Sequence, residues 1–263
     1  MYRSISFIAA LTLGTTMIPV HSASAATSVC GILPADQGDA LIASQWTCDS
    51  ANIGDMWYGF NMHSSWDGSV GYDDPCDDDL PLKRMFNALQ VLKYGVTDSP
   101  TCDTSQDNMA TWAYCWAENN HGTMRVDCSS TSTYAAYTSW FTGVTYYPTF
   151  FNMDVVERAS VIFHEARHSY GCTHPRTGCA WGGDCERGWD DGCHNIFGGG
   201  TGAGAYTYQV AFLYWFLYSA RAGWINPALR TSAMDYANFI LDNFFENDPC
   251  FRVASDGSLY STC

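Results

Sequence analysis

Apolar residues recur at three- and four-residue spacings in several stretches of the chain, and each predicts a helix with one buried face. From Leu80 to Tyr94, residues Leu82, Met85, Phe86, Leu89 and Leu92 share a face, and Gly95 ends the run. Val155, Val156, Ala159, Ile162, Phe163 and Ala166 predict a second helix from about Met153 to Ser169, with Asn152 or Asp154 as its N-cap. Ala205 to Ala220 is the most apolar run beyond residue 26. Sixteen residues fall short of a comfortable bilayer span, so a buried helix packed behind the 153–169 helix is expected, and no membrane anchor. Between these stretches, Thr131 to Phe151 alternates β-branched and aromatic residues and predicts one or two strands bounded by Gly143 and Pro148. Thr27 to Gly71 is rich in aromatics without a clear period. Irregular structure with short strands is expected there, and a short aromatic element over Met109 to Trp116. The pattern as a whole is α+β with a helical C-terminal half.

Composition adds a compartment. Arg3, the apolar run Ile5 to Val20 and Ala23-Ser24-Ala25 read as a signal peptide over residues 1–25, which implies export to a periplasm or the cell exterior. All twelve cysteines follow it, an even number suited to disulfides in an oxidising space. No CxxC pair is present to suggest a cysteine zinc site. Pairing between sequence neighbours, such as Cys115 with Cys128 and Cys250 with Cys263, is the expectation. The net charge of −15 argues against nucleic acid or an anionic membrane as partner. The acidic runs Asp73-Asp74 and Asp77-Asp78-Asp79 are candidates for calcium, with a solvated loop as the alternative.

The densest chemistry lies at the end of the 153–169 helix, in His164-Glu165-Ala166-Arg167-His168-Ser169-Tyr170-Gly171-Cys172-Thr173-His174. On a helix, His164 and His168 stand one turn apart on one face, so two imidazoles can hold one cation while Glu165 points at what the cation carries. Gly171 tolerates a left-handed backbone, which allows the chain to double back and bring His174 up as a third nitrogen. A fourth position would stay open for water, as in a catalytic zinc site. Five of the seven histidines lie between His121 and His194, three of them in this stretch.

The spacing HExxHxxGxxH resembles that of the metzincin clan of zinc endopeptidases. The resemblance covers about a quarter of the chain beyond residue 25 and implies a zincin-like domain; length and cysteines read 26–263 as one disulfide-rich domain, with a cysteine- and aromatic-rich part at 26–130 and the zinc-site part at 131–263. The resemblance implies Zn2+ on His164, His168 and His174, Glu165 as general base, and a protein or peptide substrate. It also implies that the strand before the active-site helix lines the cleft. Ser232-Ala233-Met234-Asp235-Tyr236 is similar to the Met-turn of that clan, in which the tyrosine can reach the metal or the oxyanion, making Tyr236 a candidate catalytic residue. The same residues fit an ordinary helix with Ala233, Tyr236, Ala237, Ile240 and Phe244 as its buried face. The deuterolysin-like aspzincins are a rival resemblance, in which an Asp farther along supplies the third ligand. Gly200-Thr201-Gly202 lacks that Asp in the required place, although Asp184, Glu186, Asp190, Asp191 and His194 lie close by in sequence. Two other functions remain open on the residues alone: a stapled binding module for a glycan or surface partner with structural zinc or none, and a zinc hydrolase of non-peptide substrates.

Overall fold

The computed structural model describes residues 29–139, 141–174, 194–195, 203–245 and 250–263. The chain is mixed α+β, with helices dominating and only short strands among the described residues. At its centre is helix α6 (Val155–Ser169). Around it pack α3 (Pro81–Tyr94), α4 (Ala113–Asn120), α7 (Ala205–Ser219) and α8 (Pro227–Asn243). One buried core draws on residues from Cys30 to Val253, so residues of both halves of the chain meet in it. Phe163 of α6 shows how: its ring lies 5.4 Å from Trp116, 5.7 Å from Trp112 and 5.2 Å from Tyr208, joining α4 and α7 through aromatic contacts.

A small sheet flanks α6. Its strands β1 (Met124–Val126), β2 (Ala136–Ser139) and β3 (Gly143–Tyr146) lie in the order β1-β3-β2, with β1 parallel and β2 antiparallel to β3. Among the described residues β2 is therefore an edge strand, and Thr138 stands opposite Val144. The expected strands between Gly143 and Pro148 and just before them are present, and Pro148 opens the short helix α5 (Pro148–Phe151).

The region from Thr27 to Gly71 departs from expectation. Instead of short strands it holds two helices, α1 (Gln37–Ala43) and α2 (Ser50–Gly59), started by the caps Asp36 and Asp49, whose carboxylates accept backbone N–H bonds. Among the described residues, four disulfides link Cys30 to Cys128, Cys48 to Cys76, Cys102 to Cys115, and Cys250 to Cys263. The last follows the neighbour rule. Cys115 and Cys128 do not pair with each other, because the fold carries the N-terminal segment across to Cys128 and leaves Cys115, at the start of α4, facing Cys102. No helix among the described residues is long and apolar enough to cross a membrane. The segment read as a signal peptide lies outside the described residues.

The N-terminus of α6 is fixed by charge as well as by packing. Arg158 is fully buried and pairs with Asp39, which also accepts from Asn87 Nδ2 at 3.2 Å. Asp154 caps the helix through Val156 N (2.9 Å), and Glu157 reaches back to Asp154 N (3.2 Å), which completes a capping box. Burial pushes the Asp154 carboxyl up to about 7; Asp36 and Glu157 add to the rise, while the Val156 N–H and Arg158 oppose it. A carboxyl raised in the folded state binds more protons there than in the unfolded chain between its ordinary pKa and about 7. Its contribution to stability is therefore lost as pH rises through that window. Asp154→Asn keeps a cap of equal quality without the charge, so its melting temperature should match wild type below about pH 4 and exceed it near about pH 8. Parallel pH profiles for the two proteins would refute this account of the cap.

Candidate metal centre

Helix α6 ends where the chemistry begins. Its C-terminal turn closes through Tyr170 N to Ala166 O (3.0 Å) and Gly171 N to His168 O (2.9 Å), and Gly171 takes φ = +104°. That left-handed residue reverses the chain into β4 (Cys172–Thr173), which pairs antiparallel with β5 (His194–Asn195). The reversal carries His174 back against the helix face that bears His164 and His168. Ring centroids lie 4.7 Å apart for His164 and His168, 5.2 Å for His164 and His174, and 4.4 Å for His168 and His174. One nitrogen of each falls within 4.8 Å of the others, and among the described residues this is the one such group able to hold a metal ion.

The fit to a cation can be tested on hydrogen bonds and spacing. His168 Nδ1 lies 2.5 Å from the carbonyl oxygen of Cys172, which can only accept, so Nδ1 carries the proton and Nε2 keeps its lone pair. That Nε2 lies 3.0 Å from His164 Nε2. Two nitrogens on a tetrahedral zinc at about 2.05 Å would sit about 3.3 Å apart, so the spacing suits a shared ion. Burial holds His164 well below the ordinary imidazole value, with His168 and His174 adding to the effect and the Gln209 side chain opposing it. His174 is depressed to about 3 by burial and then by His168. Both rings are neutral near pH 7, the form that ligates metal.

Glu165 is 6 % exposed. Its Oε2 accepts from Thr138 Oγ1 at 2.5 Å, so the edge strand β2 holds the carboxylate. Burial raises the Glu165 carboxyl above its ordinary range, while His168 and Thr138 pull it down.

No protein-family model, curated protein or solved structure matches this chain. The site is thus read from its own geometry.

Two residues that the sequence did not single out belong to the site. Thr138 is the first, since nothing in a short alternating strand marks which residue will meet a carboxylate. Tyr206 is the second: it stacks on His174 (4.5 Å between centroids, 19° between planes), meets His164 edge-on at 4.6 Å, and is backed by Phe244 at 4.4 Å. Its place in the first turn of an apolar helix disguised it as packing.

Tyr236 and Met234 lie in the middle of α8, so Ser232 to Tyr236 is helix and not a Met-turn. Asn226 caps α8 through Leu229 N, Pro227 occupies its first turn, and an apolar face of Ala233, Ala237 and Ile240 carries the helix straight through the motif. The Tyr236 hydroxyl accepts from Gln209 Nε2 at 3.3 Å, and Gln209 also donates to Ser160 on α6 at 3.1 Å. Burial, followed by Glu157, raises the Tyr236 hydroxyl above its ordinary value. Tyr236 is thus joined to the imidazole cluster through Gln209, whose side chain also bonds His164, and it lies within electrostatic reach of Glu165; it reaches the site from the middle of α8 and not from a Met-turn.

Among the described residues, the acidic runs at Asp73, Asp74, Asp77, Asp78 and Asp79 do not bring three side-chain ligands to one point. Asp77 instead caps its own turn through Asp79 N at 2.9 Å. The rival ligands Asp184, Glu186, Asp190 and Asp191 lie outside the described residues, as does the side chain of His194.

Proposed function

We propose that the protein is an exported zinc-dependent endopeptidase with a metzincin-like centre, with His164, His168 and His174 as metal ligands and Glu165 as general base. One observation carries the reading: three imidazoles converge, one with its free nitrogen fixed by the Cys172 carbonyl, beside a buried carboxylate that a second element orients. The four disulfides among the described residues fit the oxidising space that export provides.

Zinc, when bound, supplies Lewis-acid chemistry: it lowers the pKa of a water and polarises a carbonyl. The protein's own groups do the rest. Glu165 takes the proton from the attacking water and returns it to the leaving amine. Thr138 holds the carboxylate in the orientation that this transfer needs, and burial keeps its basicity closer to that of the water. Tyr206 walls the site against His174 and His164 and keeps both rings from turning. The edge position of β2 favours a peptide over a small ester or sugar, since an extended chain can add to that edge while Thr138 of the same strand touches Glu165.

Cleavage of an unbiased peptide library, with and without chelator, tests the reading; zinc-loaded protein that leaves the whole library intact would contradict it. A finer test lies in Thr138. Thr138→Val should keep stoichiometric zinc and lose about tenfold in kcat, because the carboxylate loses its anchor, and Thr138→Ser should restore most of it. Wild-type turnover in Thr138→Val would remove the residue from the mechanism.

A further inference from the structure

A second concavity lies about one helix length from the triad. α7 starts beside His174 at Tyr206 and runs fifteen residues, which places its far end about 20 Å away. There the α7–α8 connection, the end of α3 and the segment between α1 and α2 line an open cleft of about 470 Å³. Trp46 and Tyr94 give it partly exposed aromatic surface over the buried Trp224, and Asn52, Asp98 and Arg221 give it polar groups.

Arg221 is held in place before any ligand arrives. Arg221 Nη1 donates to the carbonyl oxygens of Tyr94 (3.2 Å) and Thr97 (3.4 Å), its backbone N–H bonds Gly95 O (2.9 Å), and its guanidinium lies 5.9 Å from the Trp224 ring centre. That leaves Nη2 facing Asp98 at 4.0 Å, a separation too long for a hydrogen bond and open to a bridging group. Gly223, at φ = +87°, lets the turn press against Gln45, where a Cβ would lie 2.9 Å from the amide oxygen. Gln90 lines the pocket with 2 % of its surface exposed, and its carboxamide oxygen has no hydrogen-bond partner. The last torsion of a glutamine is soft, so that oxygen can turn toward a donor entering the pocket.

We infer that this cavity binds a neutral saccharide of one or two rings. Aromatic rings offer an apolar surface to the C–H face of a pyranose, and the surrounding amide, carboxylate and guanidinium groups supply both donors and acceptors for hydroxyls, which need both. The volume lies within the range of small-molecule sites. Arg221 and Asp98 offset each other's charge, so the pocket has little to favour an anion or a cation. This site is independent of the hydrolytic reading and would place the exported protein on a glycan surface whatever the triad does.

Saturation-transfer NMR on the whole protein with glucose, N-acetylglucosamine and cellobiose, and with diglycine as a zwitterionic comparison, tests the inference. At least one sugar should bind with Kd about 1 mM, weakened about tenfold in Arg221→Met and measurably in Asp98→Ala, with zinc content unchanged in both. The Asp98 side chain is 82 % exposed, so Asp98→Ala decides the matter if Arg221→Met does not fold. No transfer to any of the three sugars, sugar binding unaltered by the variants, or binding of diglycine in place of sugars would each overturn the inference.

Discussion

Glu165→Gln should keep a full equivalent of zinc and lose about a thousandfold or more in peptide cleavage, since general acid–base catalysis typically contributes about 10²–10⁴ and here one carboxylate serves both proton transfers. The substitution is close to isosteric, and its amide oxygen can still accept from Thr138, so the fold around the helix should not change. The raised pKa of the buried carboxyl belongs to the same argument: a stronger base than an exposed glutamate, held beside the metal ligands, is what proton abstraction from water requires. Cleavage by Glu165→Gln at a rate near wild type would take the general base elsewhere.

Loss of the metal should have the second large effect, on stability as well as turnover. His168→Ala removes the ligand whose free nitrogen is best defined and should leave less than stoichiometric zinc with no detectable cleavage. Chelation of wild type should reproduce this thermally. At a free metal concentration about a thousand times Kd, binding stabilises the folded state by about 4 kcal/mol, which for a chain of this size corresponds to about 10 °C in Tm. Zinc removal that leaves Tm unaltered, or full zinc content in His168→Ala, would show that the three imidazoles are not the ligands.

Much of this was legible in the residues, and the limits have physical causes. The helices over Pro81–Tyr94 and Val155–Ser169 could be read because each buries a strong apolar face, and the caps and stops have distinctive chemistry: Asp154 at one end of α6, Gly171 beyond the other. The convergence of His174 on His164 and His168 followed from spacing plus one glycine. α1 and α2 were not seen because their aromatics lack a helical period and serve a core shared with distant segments; the only local signals were the caps Asp36 and Asp49. Cys128 could not be matched to Cys30 from spacing, since the pair spans 98 positions and is set by where the sheet meets the N-terminal segment. Thr138 and Tyr206 escaped for a similar reason: each becomes part of the site through a tertiary contact, not through its neighbours in sequence. With Ser232 to Tyr236 the error ran the other way, as a short string similar to a known turn lay inside a helix whose cap and apolar face outweigh it.

The most direct test is mass spectrometry of a peptide library incubated with the wild-type protein, before chelation, after chelation, and after one equivalent of zinc is returned. New termini that appear, vanish and reappear in step with the metal are the expected result. Zinc-replete, folded protein that generates no new termini in any peptide would contradict the endopeptidase reading.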